Sequence, residues 1–263
     1  MYLNKIYIST ISYNNLPGLL RTYESICKIQ INVDIDISWI VVDGASKDGT
    51  VEWLNKLKPN FEYVWLSEKD SGIYNAMNKC IDLLPDDRNY TIFMNSGDEF
   101  ADGDFLKVLS QLSVTSTVVL GDAFMSPVDS DVYLVKARKA SLSWLGMPTS
   151  HQAMFFRNDF IKETRYDEGF KLSGDYDLYC KSVVKSYLEH NPIVQLNAPV
   201  CIFYLDGVSV KKRINALKEN YRTRRNVLNM NILFASALYV AHYSHHYLKM
   251  FFPTFMRFIR KSK

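Results

Sequence analysis

Short apolar runs alternate with amphipathic segments over the first hundred residues. The run Ser38–Val42 is almost wholly apolar and ends at Asp43-Gly44, which is typical of a strand buried on both faces of a sheet. The predicted strands are Lys5–Ile11, Ser38–Val42, Phe61–Ser67 and Tyr90–Met94, and the predicted helices are Leu16–Ile29, Ser46–Leu57, capped by Ser46, and Ile73–Leu84. This order predicts an α/β fold with a mostly parallel central sheet flanked by helices.

The pattern is less regular after residue 117. Strands are predicted at Val118–Leu120, Val132–Ala137 and Ala153–Phe156, and a helix at Tyr176–Ser186. The 263 residues are 48% hydrophobic, which is enough to bury a substantial core. This length suits one domain of catalytic size with a small appendage better than two full domains.

Charge divides the chain into two unequal parts. Residues 1–210 carry a net charge of −8, whereas residues 211–263 hold twelve lysines and arginines against the single acid Glu219, a net charge of +11. The basic part interleaves its charges with aromatic and aliphatic residues and has no nucleic-acid recognition motif, so it favours a membrane surface over a nucleic acid. We therefore predict a catalytic domain over 1–210 and a membrane-associating helical extension over 211–263. The alternatives are that these aromatic residues pack on the domain or form a homodimer contact.

Targeting signals and cysteines favour the cytoplasm. Lys5 and the polar pair Ser9-Thr10 interrupt any signal-peptide core, and the longest uncharged run, Asn226–Leu248, is too polar to cross hydrocarbon. The four cysteines are widely spaced and are expected to be reduced thiols. The sequence thus predicts a cytoplasmic protein, held peripherally on the inner face of the cell membrane by its basic end.

Three acidic loops follow three of the predicted strands. They are 43–50, 68–79 and 95–99, and parallel sheets bind ligands beyond the carboxyl ends of their strands. A carboxylate at Asp43 suits a ribose or a base edge, and Asp98-Glu99 suits a hard divalent cation. Each loop also has a plainer interpretation. The first and third are composed like ordinary turns, and Asp70 or Ser71 in the second could simply cap a helix.

Taken together, these loops resemble those of the family 2 glycosyltransferases, which have the GT-A fold. The resemblance spans about Lys5 to Gly207 and is strongest at Ile40–Thr50, Ser67–Asn78 and Phe93–Asp98. The later segments Ser150–Phe156 and Ser173–Leu178 resemble the bacterial branch that builds surface polysaccharides such as colanic acid and O-antigen.

The resemblance implies a role for five residues. Tyr13 lies where the family packs an aromatic ring against the nucleobase, and Asp43 and Asp70 match carboxylates of the nucleotide pocket. Asp98 matches the last carboxylate of the DxD motif, which binds Mn²⁺ or Mg²⁺ on the donor diphosphate. Asp175 matches the catalytic base.

Two positions depart from the family pattern or stay ambiguous. Ser96 replaces the first aspartate of DxD, so a metal ion would have one protein carboxylate fewer. His151 could donate to the diphosphate or the acceptor, or could be a structural histidine.

The spacing of His242, His245 and His246 would allow them to bind a metal ion from one face of a helix. Because no acid or cysteine lies nearby, we favour a polar stripe on an interfacial helix.

The chemistry needs a base near the acceptor hydroxyl. Asp175 is our assignment and Asp177 is its competitor; on a helix the two side chains would point about 200° apart, so only one can face the sugar. The plain alternative is that both acids stabilise the start of their helix.

The sequence therefore predicts an inverting glycosyltransferase. Its donor would be a UDP-sugar or a GDP-sugar, and its acceptor an undecaprenyl-diphosphate-linked glycan in O-antigen, capsule or exopolysaccharide synthesis. A nucleotidyltransferase is less favoured because Ser9–Pro17 carries no basic residue. A catalytically inactive sugar-binding or scaffold protein is the other alternative, suggested by Ser96 in the DxD position.

Overall fold

The computed structural model describes residues 3, 5–30, 35–111, 115–127, 131–204 and 213–251. Its strands are β1 (Lys5–Ser12), β2 (Asp36–Asp43), β3 (Glu62–Ser67), β4 (Tyr90–Phe93), β5 (Glu99–Phe100), β6 (Val118–Ser126), β7 (Tyr133–Val135), β8 (Met154–Arg157) and β9 (Val194–Tyr204). Its helices are α1 (Leu16–Ile29), α2 (Thr50–Lys56), α3 (Ile73–Asp82), α4 (Asp104–Gln111), α5 (Asn158–Thr164), α6 (Gly174–Leu188), α7 (Arg213–Asn226) and α8 (Ile232–Phe251). The predicted domain boundary at residue 210 and the basic segment 252–263 lie outside the described residues.

The first four strands form a parallel half-sheet. Strand β1 pairs in parallel with β2 on one side and with β4 on the other, and β2 pairs in parallel with β3. The carboxyl ends of these strands therefore meet at one edge, as the sequence predicts. The residues of β4 and all but the first residue of β2 are buried, which explains their apolar composition.

The second half of the sheet is mixed. Strand β8 runs antiparallel to both β4 and β6, while β6 and β9 are parallel. The order is β3-β2-β1-β4-β8-β6-β9-β5, with β7 paired to β6. Strand β9 is absent from our prediction because Gln195, Asn197 and Pro199 break its apolar pattern, and Asn197 has a positive φ of 53°.

Helices cover both faces of the sheet and enclose two hydrophobic cores. On one face the fully buried Trp39 of β2 lies 5.4 Å from the ring of Tyr23 on α1, and its indole N–H donates to Thr10 at 2.8 Å. On the other face Met77 and Cys80 of α3 pack with Phe156 and Tyr179. Buried aromatic surface of this size is a major source of stability.

Two helices lack the side-chain caps that the sequence suggested, although α3 begins at Ile73 as predicted. Helix α2 starts at Thr50, so the predicted cap at Ser46 is wrong, because the Ser46 hydroxyl donates to Asp43 instead. Helix α3 begins after Gly72 without a side-chain cap, although Asp70 accepts a hydrogen bond from the Gly72 amide at 2.9 Å. Both loops thus use their polar side chains to shape the turn rather than to cap the helix.

Helix α7 packs against α6 as part of the catalytic fold. Leu217 is buried, and Thr223 and Arg224 are fully buried. The Arg224 guanidinium lies 5.6 Å from the Tyr176 ring centroid and donates to the carbonyl of Trp144 at 2.8 Å. Residues 213–226 of the predicted extension therefore pack on the rest of the fold through α7.

Helix α8 follows α7 and leaves one face open. Ala235 is fully buried, and Tyr239 packs on Tyr221 of α7. On the opposite face Leu233 and Val240 are 79% and 60% exposed. Within the described ranges, none of the helices has both the length and the apolarity to cross a bilayer.

Gly121 in β6 lies where β6 and β9 are packed closely. A Cβ at this position would lie 2.3 Å from Cγ2 of the fully buried Val200, so we expect Gly121→Ala to lower the free energy of unfolding by about 1–3 kcal/mol. Urea unfolding measures this change. Adding Val200→Ala removes the clashing methyl group, so the double variant should lose less stability than the sum of the two single variants. Additive losses would contradict the packing argument.

Candidate active site

Three loops at the carboxyl edge of the parallel strands are joined by backbone hydrogen bonds. The Gly44 amide donates to the Ser12 carbonyl at 2.8 Å, and the Ser96 amide donates to the Ile11 carbonyl at 3.0 Å. The Glu68 amide donates to the Asp43 carbonyl at 2.9 Å. Strand pairing therefore continues into the loops and holds them side by side.

The structure brings Tyr13 and Asp70 together at Gly44, the residue that follows Asp43. A Cβ on Gly44 would lie 2.6 Å from an Asp70 carboxylate oxygen and 3.1 Å from the Tyr13 ring, so this position requires glycine for close approach. The Tyr13 side chain is 65% exposed. An open aromatic face beside a carboxylate can receive a planar ring carrying N–H donors.

Asp43 is fully buried and shapes its own loop. Its Oδ2 accepts hydrogen bonds from the Ser46 amide at 2.9 Å and the Ser67 hydroxyl at 2.6 Å, and its Oδ1 accepts from the Ser46 hydroxyl. These hydrogen bonds are the ones expected if Asp43 serves only to shape the turn after β2. The predicted contact between Asp43 and a nucleotide stays a prediction.

The loop that carries Asp98 is a tight turn organised around Thr22 of α1. The Asp98 amide donates to the Asn95 carbonyl at 2.8 Å, and Gly97 adopts a φ of 105°, which favours glycine. The buried Thr22 hydroxyl donates to the Asp98 carbonyl at 2.8 Å and accepts from the Gly97 amide at 3.0 Å. In the DxD position, the Ser96 hydroxyl donates to the Asn15 carbonyl at 3.0 Å. Ser96 thus ties this turn to the loop after β1.

Burial makes Asp98 electrostatically unusual. Burial raises the pKa of the Asp98 carboxyl above its ordinary value. The neighbouring His151, the Gln152 side chain and the Asn95 amide act in the opposite direction and lower this pKa. The Asp98 Oδ2 accepts from the Asn95 amide at 2.9 Å. A cation close to this carboxylate would favour its ionised form.

His151 links the Asp98 loop to Asp175. The Asn95 side-chain amide lies 3.3 Å from His151 Nε2, and His151 Nδ1 lies 3.7 Å from an Asp175 carboxylate oxygen. In the neutral tautomer whose Nε2 accepts from this amide nitrogen, the Nδ1 N–H lies on the side of Asp175. Both side chains are only 18% exposed. The predicted contact between His151 and a diphosphate or acceptor stays a prediction.

The two competing acids of α6 have different surroundings. Asp177 is buried, accepts from the Thr223 hydroxyl at 3.0 Å and lies 2.7 Å from the Lys181 ammonium. Asp175 Oδ1 is buried, with no hydrogen-bond partner among the described residues. The Asp177 carboxylate therefore links α6 to α7, whereas one oxygen of the Asp175 carboxylate has no hydrogen-bond donor among the described residues.

A cavity of about 1030 Å³ gathers these groups. Its lining includes Asn15 and Ile73, two and three residues from Tyr13 and Asp70, and Ala216 and Asn220 of α7. Tyr13, Asp43 and Asp70 do not line it. Its polar lining includes Asn95, Ser96, Asp98, His151, Gln152, Asp175 and Asn220.

The donor set around Asp98 fits a divalent ion only in part. The described residues contain no group of three or more histidine, cysteine or acidic side chains arranged to hold a metal, which covers His242, His245 and His246 as well. Asn95 Oδ1 is buried without a hydrogen-bond partner among the described residues. One carboxylate and one such amide oxygen suit Mg²⁺ or Mn²⁺ shared with substrate phosphates, since these ions often take few protein ligands.

Several residues of the site are missing from the sequence prediction. Thr22 and Gln152 act through tertiary contacts that no local pattern reveals. Glu219 carried a signal, because it is the single acid in residues 211–263. Its carboxylate accepts hydrogen bonds from the amides of residues 171–173, just before α6.

Comparison with known proteins identifies the fold. The S. aureus protein TarS, residues 1–349 in complex with UDP-GlcNAc, is similar with a TM-score of 0.62 and 14% identity over 89% of this chain and 70% of that one. The mannosyltransferase PcManGT of Pyrobaculum calidifontis, in complex with GDP-Man and Mn²⁺, has a TM-score of 0.65 and 14% identity over 91% and 70%. The predicted GT-A fold is confirmed.

Similar sequences identify the family. An uncharacterized glycosyltransferase of Mycobacterium tuberculosis H37Rv is 28% identical over 225 residues, 81% of this chain and 79% of its own length. A PGL/p-HBAD biosynthesis glycosyltransferase of Mycobacterium bovis BCG is 26% identical over 149 residues, 54% of this chain and 53% of its own. The family model for glycosyl transferase family 2 matches residues 7–189. The chain therefore belongs to glycosyl transferase family 2 and is a glycosyltransferase.

Proposed function

We propose that this enzyme transfers a sugar from a nucleoside-diphosphate donor with inversion at the anomeric carbon, using Asp175 as the base. The observation that carries this assignment is the Asp175 Oδ1 atom. Asp175 lines the cavity that also contains Asp98, and no described residue donates a hydrogen bond to its buried Oδ1 atom. A carboxylate oxygen without a donor can accept the proton of an acceptor hydroxyl.

In this proposal the reaction is a single displacement. The acceptor oxygen bonds to the anomeric carbon while the bond from that carbon to the diphosphate breaks. The acceptor proton passes to Asp175, and the nucleoside diphosphate leaves with the bonding electron pair. The transition state is cation-like, comparable to that of glycoside hydrolysis. His151 Nδ1 lies 3.7 Å from the other Asp175 oxygen, where an N–H would orient the carboxylate.

The donor would bind across the loops after β1, β2 and β3. Tyr13 would stack on the base, while Asp43 and Asp70 would accept from the base or ribose. We propose a UDP-sugar, with a GDP-sugar as the second candidate. The two structures of similar fold support this class of ligand, because one holds UDP-GlcNAc and the other GDP-Man.

Asp98 is the residue we propose for metal binding. When bound, Mn²⁺ or Mg²⁺ would supply positive charge that stabilises the departing diphosphate. Asp98 would give the protein carboxylate, and Asn95 Oδ1 is the nearest unpartnered amide oxygen in that turn. Ser96 is bonded to the Asn15 backbone and shapes the turn.

We propose a lipid-linked acceptor, an undecaprenyl-diphosphate glycan of surface polysaccharide synthesis, at the inner face of the cell membrane. Four of the exposed apolar side chains of α8 lie along one face: Leu233, Val240, Leu248 and Phe251. The part of the chain from 211 to 263 has a net charge of +11. An apolar stripe within a basic segment complements an anionic lipid surface, where each nearby lysine or arginine contributes about 1 kcal/mol.

Replacing the proposed base separates it from its competitor. Asp175→Asn should reduce turnover by roughly 10²–10⁴ while donor binding persists, because the amide cannot take the acceptor proton. Asp177→Asn should keep turnover near the wild-type value and lower the melting temperature, since it weakens the contacts to Lys181 and Thr223. Steady-state kinetics, donor titration and thermal unfolding measure these effects. The reverse pattern would transfer the base assignment to Asp177.

Asp98→Ala tests metal binding. We expect this variant to lose metal-dependent transfer and the increase in UDP affinity that Mn²⁺ gives the wild-type enzyme. Calorimetric titration of UDP with and without Mn²⁺ provides a readout besides activity. Asp102→Ala, in the exposed loop before α4, is the matched control and should keep both properties. Full wild-type activity in excess EDTA would overturn the metal proposal.

The stripe on α8 is tested by cosedimentation with vesicles. Leu233→Ser with Val240→Ser should abolish binding of the full-length protein to anionic vesicles, because it removes apolar surface that would enter the lipid. Leu188→Ser is the control, since Leu188 is 68% exposed at the end of α6. Binding that is absent in the wild type, or retained in the double variant, would contradict the membrane proposal. A wild-type dimer that the double variant converts to a monomer would assign the stripe to a second copy instead.

A further inference from the structure

The amides at the start of α6 are bound by a carboxylate from α7. Glu219 Oε1 accepts a hydrogen bond from the Lys171 amide at 2.9 Å, and its Oε2 accepts from the amides of Leu172 at 2.9 Å and Ser173 at 2.7 Å. Amides at a helix start have no partner within the helix, and the local dipole favours a negative charge there. One side chain of α7 thus binds three consecutive donors that precede Asp175.

The next amide is held from the other side. The Gly174 amide donates to the Tyr74 hydroxyl of α3 at 2.8 Å, and a Cβ on Gly174 would lie 2.7 Å from the Tyr74 ring. The Ser173 hydroxyl donates to the Ala216 carbonyl of α7 at 3.2 Å. Four successive amides therefore have fixed partners, and Asp175 is the residue that follows.

Helix α7 also contacts α6 beyond Asp175. The Thr223 hydroxyl, one turn after Glu219, donates to Asp177 at 3.0 Å. Helix α7 consequently holds the chain on both sides of Asp175. Transfer requires the reacting atoms to be placed closely, and misplacement of about 1 Å can cost about 10² in rate.

We propose that Glu219 is a positioning residue for glycosyl transfer. It holds residues 171–173, which lead into α6, so that Asp175 stays beside His151 and lines the cavity. This inference rests on the proposed role of Asp175 as the base. It makes α7 part of the catalytic unit, because α7 supplies Glu219 and also the cavity residues Ala216 and Asn220.

The test compares Glu219→Ala, Glu219→Gln and the control Lys218→Ala in the full-length protein. Lys218 is the exposed neighbour of Glu219 on the same helix. Glu219→Ala should lower kcat by about tenfold to a hundredfold while the donor KM stays within about twofold. Glu219→Gln should lie between Glu219→Ala and the wild type, since its amide oxygen still accepts. Lys218→Ala should behave as the wild type.

Hydrogen exchange gives a readout independent of activity. The amides of residues 171–173 should exchange faster in Glu219→Ala than in the wild type, while those of β1 and β2 stay unchanged. Unchanged exchange would overturn the capping contact. Faster exchange with an unchanged kcat would overturn the positioning role, and so would a donor KM that rises as much as kcat falls.

Asp175→Asn separates this inference from the proposed function. If Asp175→Asn keeps wild-type turnover, the assignment of the base fails, whatever Glu219 does. If Asp175→Asn is inactive and Glu219→Ala is fully active, the positioning inference fails and the proposed base stands.

Discussion

Parallel pairing of β1 with both β2 and β4 is the constraint on which the active site depends. Each strand is followed by a polar loop, and parallel alignment places these loops at the same edge. The pairing continues past the strands, because the Gly44 and Ser96 amides bind carbonyls at the end of β1. A change of strand direction at β4 would send the Asp98 turn to the opposite edge of the sheet, away from Tyr13 and Asp70.

The site built on this edge concentrates ionisable groups where water has limited access. Asp98, His151 and Asp175 lie close enough for their charges to interact, and burial disfavours the charged form of Asp98. Such an arrangement costs free energy in the absence of a ligand and is typical of functional sites. The hydrogen bond from the Asn95 amide to Asp98 Oδ2 offsets part of this cost.

Local pattern was enough to predict the parallel half of the fold and the grouping of the acidic loops. The continuous apolar runs at β2 and β4 arise from burial on both faces, so they are visible in the sequence alone. Strand β9 was missed because its polar positions and bulge hide its period, and Ser46 was misassigned because its hydroxyl binds Asp43. The roles of Thr22 and Glu219 depend on partners more than forty residues away, which periodicity cannot reveal.

The position of Glu219 in the chain determines when the amides before α6 gain their partner during synthesis. A ribosome completes the sheet, Asp98 and Asp175 before it makes Glu219, and folding during synthesis generally proceeds from the N-terminus. A nascent chain that ends before α7 would hold every acid we assign to donor and base, while the amides that open α6 remain exposed to water. The segment around Asp175 would therefore gain its contacts to Glu219 and Thr223 late in synthesis, after the loops at the edge of the parallel strands have already formed.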